Sequence, residues 1–365
     1  MSLMQELGQR ALDRSVPLSV QLDVTYRCNE RCIHCYLDHN DHGEMTTAEI
    51  CGVLDQLAEA GVFFLTLSGG EVFMRRDFFE IVEHARSLMF CVKIKTNAFM
   101  IGKKEARRLR ELAVQDVQVS IYSHQPAVHD AITLLPGSLK RSIAGIRLLR
   151  SHGVKVVIAN VLMMQNRSDR SGVKQLANQL GAEYTIDPTI TPMMDGDRSI
   201  LRLGLDRAEL KQVFRDPDLV DDVADFCAPP PQVSDDALND LPCSAGHTAC
   251  YISPYGDVFP CVQFPLPSGN VRQQKFLDIW RYSSQLNEVR SITLADLPVC
   301  SGCRHAGSCT RCPGLAYMEG NMRGPSVLDC EKSYARTGIT TANMKLMQSG
   351  TASRGLVQIA AAQGA

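Results

Sequence analysis

The sequence predicts an α/β fold, a partial (β/α)6 barrel of the TIM type, followed by a small cysteine-rich domain. Two observations support this. Apolar strand-like runs alternate with amphipathic helices up to about residue 216, and cysteines are concentrated after residue 227. Strands that alternate with helices pair in parallel through right-handed crossovers. Six such units are too few for a closed eight-stranded barrel, so we expect a partial one.

The six predicted strands are short, mainly apolar runs, at 18–26, 62–70, 91–97, 116–122, 154–163 and 182–190. The six predicted helices have apolar residues at helical spacing, at 46–61, 76–89, 103–113, 138–153, 168–181 and 206–214. The first helix opens on threonine and closes on Gly61, which are common signals at helix ends. One further helix is predicted at 275–292.

The chain divides into five predicted segments. In chain order they are an N-terminal segment 1–17, the barrel 18–226, a linker 227–242, a cysteine-rich domain 243–335 and a C-terminal tail 336–365. The linker is rich in Pro and Asp, which favours a loop. The cysteine-rich domain has little periodic apolar pattern, so we expect metal clusters to stabilise it.

Composition excludes several classes of function for this chain of 365 residues. A formal net charge of −2 offers no electrostatic basis for binding nucleic acid. No apolar run approaches the roughly 18–20 residues that a membrane span needs. The N-terminus lacks the pattern of a signal peptide, so we expect a cytoplasmic protein. Fourteen cysteines in a reducing compartment indicate metal or redox chemistry rather than disulfides.

Three of the cysteines, Cys28, Cys32 and Cys35, lie close together after the first predicted strand. His34 makes a Cys3His zinc site an alternative, since zinc takes four nitrogen or sulfur ligands. Adjacent residues such as His34 and Cys35, however, seldom reach one tetrahedral ion together. Three thiolates suit a cubane iron–sulfur cluster, in which each holds one iron and the fourth iron is left open to a small molecule.

This Cys-x3-Cys-x2-Cys array, after the first strand of a partial α/β barrel, resembles that of the radical S-adenosylmethionine (SAM) superfamily. The resemblance implies that SAM chelates the fourth iron and is cleaved by electron transfer to a 5′-deoxyadenosyl radical, which abstracts hydrogen. The stretch SGGEVF (68–73) stands where that family has a Gly-Gly-Glu sequence at the end of the second strand. Val72 departs from the proline that is common there.

The resemblance also implies which residues contact SAM, and they lie in the cysteine loop or near strand ends: Gly69, Gly70, Glu71, His34, Asn97 and Ser120. Glycines allow the backbone to approach SAM closely, and Glu71 is expected to accept from its ammonium group. His34 takes the position next to the adenine. Ser120 is expected to reach the ribose or the carboxylate.

A second group of cysteines follows the barrel: Cys243, Cys250, Cys261, Cys300, Cys303, Cys309, Cys312 and Cys330. By spacing alone, two structural zinc ribbons remain an alternative. The order of these cysteines, with Gly256-x4-Cys261, resembles the SPASM extension of radical SAM peptide maturases. One gap departs from that pattern, since two residues rather than three separate Cys309 from Cys312.

The SPASM resemblance implies two auxiliary 4Fe–4S clusters, each held by four cysteines. The inner cluster would be held by Cys243, Cys250, Cys261 and Cys312. The outer cluster would be held by Cys300, Cys303, Cys309 and Cys330. Fully ligated clusters indicate electron transfer or structure rather than direct binding of substrate. Cys227 is left over in the linker.

Together these resemblances imply an enzyme that uses SAM and three 4Fe–4S clusters. Its expected substrate is a ribosomally made peptide, which receives an oxidative modification such as a thioether or carbon–carbon cross-link. A flavodoxin- or ferredoxin-type protein would donate electrons. Because the predicted barrel begins at residue 18, a separate leader-binding protein or an exposed sheet edge is expected to bind the leader.

Two other classes of function remain open from the sequence. One is a radical SAM enzyme that acts on a tetrapyrrole side chain in haem biosynthesis or on another small molecule. The other is an iron–sulfur electron carrier or scaffold, against which the Gly-Gly-Glu stretch argues. For an enzyme, four acid–base candidates lie near the expected barrel mouth: Tyr122, His124, Asp187 and Asp195. Each of these types is also common in loops and caps.

Overall fold

The computed structural model describes residues 3–40, 42–231, 234 and 236–348. Its strands are β1 (Ser19–Thr25), β2 (Phe64–Gly69), β3 (Cys91–Thr96), β4 (Asp116–Ser120), β5 (Val156–Val161), β6 (Glu183–Asp187), β7 (Ala249–Ile252), β8 (Asp257–Phe259) and β9 (Gly269–Asn270). The last part of the predicted C-terminal tail and residues 1–2 of the N-terminal segment lie outside the described residues.

The helices are, in chain order, α1 (Leu3–Asp13), α2 (Thr47–Glu59), α3 (Phe78–Ser87), α4 (Lys103–Glu111), α5 (Pro126–Thr133), α6 (Ser138–Ser151), α7 (Arg170–Gln179), α8 (Arg207–Val213), α9 (Val223–Phe226), α10 (Phe276–Tyr282), α11 (Ser284–Arg290), α12 (Pro313–Met318), α13 (Val327–Thr337) and α14 (Ala342–Gln348). No helix of the described residues is long and apolar enough to cross a membrane.

The strands form one sheet in the order β6-β5-β4-β3-β2-β1-β7-β8-β9. Strands β1 to β6 pair in parallel with their neighbours, so the predicted alternation of strands and helices is confirmed. Burial alternates along β3 and β5 because successive side chains point to opposite faces of the sheet. The fully buried face, with Leu22, Leu67 and Ile94, belongs to the hydrophobic core. The other face carries polar side chains toward the inside of the partial barrel.

Two compact units make up the chain, and their bounds differ from the predicted domains. One unit consists of Met1–Asp206 and Ser244–Arg290, the other of Arg207–Cys243 and Ser291–Ala365. Residues 244–290 belong with the barrel because β7 pairs in parallel with β1 and extends its sheet. The predicted linker therefore does not separate the two units at one point in the chain.

Two local predictions about helices also need correction. The helix predicted at 275–292 is two helices, α10 and α11, because the backbone of Ser283 is extended (φ −59°, ψ 123°). The Ser283 hydroxyl accepts a hydrogen bond from Leu286 N at 3.4 Å, which caps the start of α11. Helix α5 was not predicted, although Pro126 at its first turn is a typical helix-start signal.

Candidate functional site

The loop that follows β1, which we call the cysteine loop (26–46), is held in place by α5. Arg31 N donates to Thr133 O at 3.1 Å, and Ile33 N donates to Ile132 O at 2.9 Å. These bonds use carbonyl groups of the last turn of α5, which have no partner within the helix. The loop is therefore positioned by a helix that does not itself carry the predicted ligands.

The three cysteines of this loop face one cavity of about 540 Å³, which we call the barrel cavity. Its lining includes all three thiols, Cys28, Cys32 and Cys35, together with residues at the carboxyl ends of the parallel strands. Side chains from several strands meet there because parallel strands end at the same edge of the sheet. The predicted triad is thus brought to a single space.

The environment of the three thiols fits an iron–sulfur cluster. Burial raises the pKa of Cys28 to about 12 and raises the pKa of Cys32 and Cys35 as well. Thiolates in this place need a nearby positive charge, which cluster iron would supply. Glu30 N donates to Cys28 Sγ at 3.4 Å, a contact that stabilises a thiolate. No three His, Cys, Asp or Glu side chains of the described residues converge as ligands of a single metal ion.

The end of β2 lies directly against the cysteine loop, and both contact positions are glycine. A Cβ on Gly69 would lie 2.0 Å from Thr25 O, and one on Gly70 would lie 2.4 Å from Arg27 O. Gly69 also has φ +142°, which side chains rarely adopt. Gly70 N donates to Thr25 O at 2.8 Å, which fixes this approach. Both glycines line the barrel cavity, as the predicted backbone contact with SAM requires.

Glu71 follows the two glycines but is not among the residues that line the barrel cavity, and its contact with the SAM ammonium stays a prediction. The side chain is fully buried and accepts from Thr96 Oγ1 at 2.7 Å, Asn97 N at 2.8 Å and Phe73 N at 3.1 Å. Burial raises the pKa of this carboxyl. In this structure the carboxylate accepts hydrogen bonds that join the end of β2 to the end of β3.

Two other predicted SAM contacts, Asn97 and Ser120, line the barrel cavity. Asn97 Nδ2 donates to Asn29 Oδ1 at 2.9 Å in the cysteine loop, and its Oδ1 accepts from Phe99 N at 3.0 Å. The amide is therefore oriented by its neighbours on both sides. It lies beside the triad, since Cys28 Sγ is 4.0 Å from its Nδ2.

His34 and Tyr122 form an aromatic part of the cavity wall. Their ring centroids are 4.7 Å apart at an interplanar angle of 77°, and both residues line the cavity. Burial lowers the pKa of His34 to about 4, and its Nδ1 has no hydrogen-bond partner among the described residues. A neutral imidazole with an open nitrogen beside a flat apolar surface suits the predicted contact with an adenine.

The four acid–base candidates divide into two groups. Tyr122 and Asp187 line the barrel cavity, and Asp187 Oδ1 accepts from Thr189 N at 2.8 Å. His124 is exposed and lies against Gly172, outside this lining. Asp195 lines a different cavity together with Tyr255. Tyr122 and Asp187 thus lie at the barrel cavity, and His124 lies outside it. The cavity of Asp195 shares Tyr36 and His39 with the barrel cavity, and the acid–base roles of all four residues stay predictions.

The four cysteines predicted for the outer cluster, Cys300, Cys303, Cys309 and Cys330, line one small pocket of about 40 Å³, which we call the outer-cysteine pocket. Their sulfur atoms lie near hydrogen-bond donors. Ser333 Oγ donates to Cys309 Sγ at 3.3 Å, and Ala342 N to Cys303 Sγ at 3.4 Å. Burial raises the pKa of Cys330 to about 12. The surroundings of these four sulfur atoms, like those of the triad, suit thiolates that are bound to a metal cluster.

The predicted inner quartet is less uniform. Cys243 and Cys312 belong to the second unit, and Cys250 and Cys261 belong to the first. Cys250 lies on β7, is buried within the hydrophobic core and pairs across the sheet with Val20. This placement argues against Cys250 as a cluster ligand, because its side chain packs among apolar groups. The grouping of the other three stays a prediction.

Several polar residues of the barrel cavity were not predicted from the sequence: Lys95, Gln118, Asn160, Thr185 and Gln263. Lys95, Gln118 and Thr185 lie on β3, β4 and β6 at positions whose side chains point into the barrel. Asn160 lies on the other face of β5, the face that carries the core residues Val156 and Ile158. A polar residue at every second position of an otherwise apolar strand, as in CVKIKT, was the available signal. This signal can be interpreted only when it is known which face of the sheet lines the barrel. That face is known only from the register of neighbouring strands.

Comparison with known proteins gives consistent matches for both cysteine regions. The Radical SAM superfamily profile matches residues 22–177, and the profile of the SPASM iron–sulfur cluster-binding domain matches residues 243–313. Among solved structures, SuiB of Streptococcus suis bound to its precursor peptide SuiA superposes with a TM-score of 0.70 over 89% of this chain and 80% of that one. At 17% identity this likeness shows a shared fold.

Three relatives are similar over most of their length. A PqqA peptide cyclase of Xanthomonas campestris is 31% identical over 88% of this chain and 89% of that protein. The mycofactocin maturase MftC of Mycobacterium tuberculosis is 30% identical over 83% of this chain and 79% of MftC. An AdoMet-dependent heme synthase of Methanosarcina barkeri is 27% identical over 83% of this chain and 93% of that enzyme.

Proposed function

Because this chain belongs to the radical SAM superfamily and carries a SPASM iron–sulfur cluster-binding domain, we propose that it oxidatively modifies a ribosomally made peptide. The modification is a thioether or carbon–carbon cross-link. The observation that carries the proposal is the meeting of three thiols and the Gly69–Gly70 turn at one cavity. A relative named as a peptide cyclase, at 31% identity, supports a peptide as the substrate.

Different residues of the barrel cavity would bind the cluster and the different parts of SAM. Cys28, Cys32 and Cys35 would hold the cluster, and the backbone at Gly69 and Gly70 leaves room for the methionyl part of SAM. When bound, the cluster and SAM would supply the radical chemistry for hydrogen abstraction from the substrate. His34 and Tyr122 would flank the adenine, and Asn97 and Ser120 would orient the polar groups of SAM.

Two features of the cavity suit radical chemistry and its proton transfers. The lining encloses the thiols on several sides, which limits the access of water to a reactive intermediate. Tyr122 and Asp187 are the two predicted acid–base residues that face this space. The Asp187 carboxylate would accept the proton that an oxidative cross-link releases, after the substrate has given up its electron. Tyr122 keeps its own proton, because burial raises the pKa of its phenol.

We also propose two auxiliary 4Fe–4S clusters in addition to the one at the triad. The outer cluster would be held by the four thiols of the outer-cysteine pocket. The inner cluster would be held by Cys243, Cys261 and Cys312 among the residues predicted for it. These clusters would receive the electron from the substrate, and a flavodoxin- or ferredoxin-type protein would reduce the cluster of the triad.

A second candidate function is the modification of a tetrapyrrole side chain. It is favoured by the AdoMet-dependent heme synthase, which this chain matches over 93% of that enzyme's length. Both functions use the same barrel cavity and the same cofactors. They differ in what occupies the remainder of the cavity, so the substrate must be tested directly.

The first experiment combines the reconstituted protein, SAM, a reductant and a short peptide encoded beside this gene, without oxygen. Release of 5′-deoxyadenosine together with a loss of two hydrogens from the peptide is the expected result. Deuterium uptake from solvent at constant peptide mass would indicate epimerisation and contradict cross-linking. Release of 5′-deoxyadenosine with an unchanged peptide would favour the tetrapyrrole, which is then tested with an iron porphyrin. A protein that does not cleave SAM would overturn both functions.

A further inference from the structure

A lysine lies in the floor of the barrel cavity, at Lys95 on β3. It stands two residues before Asn97, so the two side chains point into the barrel on the same face. At about 3.3 Å per residue, Lys95 is set roughly 7 Å deeper than Asn97. Lys95 therefore lies deeper in the barrel than the predicted SAM contacts, which are at the carboxyl ends of their strands.

The position of Lys95 is fixed by a buried polar network. Its Nζ donates to Gln21 Oε1 at 2.9 Å, and Gln21 Nε2 donates to Asp23 Oδ1 at 3.0 Å. Tyr251 donates to the other oxygen of Asp23 at 3.0 Å. The amide of Gln21 thus lies between the ammonium and the carboxylate. Lys95 forms no direct ion pair with a carboxylate of the described residues.

An ammonium group has three N–H donors, and Gln21 accepts from one of them. Lys95 is the one Lys or Arg among the described residues that line the barrel cavity. Burial lowers its pKa, and attraction by Asp23, Cys261 and Asp187 opposes this. A buried cation that has unused donors and faces a cavity is stabilised when an anion binds beside it.

A polar side chain beside Lys95 extends the same surface. Gln118 pairs with Lys95 across the sheet and lines the cavity, and its side-chain amide has two N–H donors. One ammonium with an adjacent amide N–H donor matches a carboxylate, which is a planar monoanion. A phosphate dianion would call for more positive charge than this lining provides.

We propose that Lys95, with Gln118, binds a carboxylate group of the substrate at the floor of the barrel cavity. This inference rests on the proposed function, since it assigns the substrate to the same cavity as SAM. Two sources of the carboxylate fit the two candidate functions, a peptide or a porphyrin propionate. The depth of Lys95 separates this group from the carboxylate of SAM, which is expected beside the triad and Ser120.

The test measures equilibrium binding to the reconstituted protein with SAM and without a reductant, by anaerobic titration calorimetry. Two matched pairs of probes are used: acetyl-trialanine with its C-terminal amide, and a porphyrin that bears propionates with its methyl ester. Within one pair, the acid should bind about tenfold more tightly than the neutral compound, as expected for a hydrogen bond to a charged group. The pair that shows this preference identifies the source of the carboxylate.

The Lys95→Met variant should lose the preference for the acid over the neutral compound, and its SAM affinity and iron content should not change. The Lys95→Arg variant should retain part of the preference for the acid. Lys93→Met is the control, because Lys93 lies on the same strand, pairs with Asp116 at 3.4 Å and does not line the cavity. The proposal is overturned if wild type shows no preference in either pair, or if Lys95→Met retains it. A loss of SAM affinity in Lys95→Met would assign Lys95 to SAM and overturn the proposal too.

The binding measurement on the wild-type protein is enough to reject the proposal. The proposal therefore stays testable even if a Lys95 variant does not fold. The result is also independent of turnover. A preference for acids in a protein that releases no 5′-deoxyadenosine would contradict the proposed function and leave the carboxylate site standing. Release of 5′-deoxyadenosine by a protein that shows no preference for acids would support the proposed function and contradict the carboxylate site.

Discussion

The triad and the outer quartet are both groups of half-buried cysteines, and they differ most in the space beside the sulfur atoms. The barrel cavity has a volume of about 540 Å³, against about 40 Å³ for the outer-cysteine pocket. The triad has three thiols and polar or aromatic neighbours from several strands. The quartet has four thiols and little additional room. An incomplete ligand set beside a large cavity indicates chemistry, whereas a complete set in a closed pocket indicates electron transfer or structure.

The strongest test of this contrast removes one ligand from the triad. We expect Cys32→Ala to abolish SAM cleavage and to lower the iron content from about twelve to about eight per chain. Cys51→Ala is the control, because Cys51 lies on α2 away from both groups. Iron analysis and 5′-deoxyadenosine release measure the two effects. SAM cleavage that persisted in Cys32→Ala would remove the basis for the triad's role.

The matching change in the quartet should separate iron content from SAM cleavage. We expect Cys303→Ala to lose about four irons per chain and still to cleave SAM. The second unit should unfold more readily, because a bound metal cluster contributes to folding free energy. Hydrogen exchange over 300–341, iron analysis and 5′-deoxyadenosine release check this. If Cys303→Ala lost SAM cleavage as completely as Cys32→Ala, the proposed division between the two groups would be wrong.

A smaller effect is expected at the turn between β2 and the cysteine loop. A Cβ at Gly70 would lie 2.4 Å from Arg27 O, and the backbone of the loop must shift to relieve this contact. Gly70→Ala should cost about 1–3 kcal/mol of unfolding free energy and weaken SAM binding by about tenfold. Denaturant unfolding and SAM titration provide the measurements.

Gly52→Ala is the control for this change, because Gly52 lies within α2 and a Cβ there meets no atom within 4 Å. It should raise stability by about 0.5–1 kcal/mol and leave SAM binding unchanged. Equal behaviour of Gly70→Ala and Gly52→Ala would show that the close contact at Gly70 does not matter.

The smallest expected effect concerns Cys250, which lies in the core of the barrel unit. Cys250→Ala should leave the iron content unchanged and cost about 1 kcal/mol of stability through lost packing. Cys261→Ala, in comparison, should lose about four irons per chain. Iron analysis of the two purified variants distinguishes them. Equal iron loss in both would restore Cys250 to the inner quartet.

The parallel barrel and the cysteine triad could be predicted from the sequence because both are recorded in local spacing. The alternation of strands and helices determines parallel pairing, and all six predicted strands are present. The spacing of Cys28, Cys32 and Cys35 allows one short loop to present three thiols together. The glycines after β2 were identified for the same reason, since a turn at a strand end has a local signal.

Tertiary structure decided what each polar residue faces. Glu71 follows the glycines directly, yet its carboxylate accepts hydrogen bonds at the end of β3 and does not line the cavity. Lys95 and Cys250 both lie on strands, and only the register with their neighbours shows that one points into the barrel and the other into the core. Spacing along the chain cannot distinguish the two faces of a sheet, because a shift of one residue exchanges them.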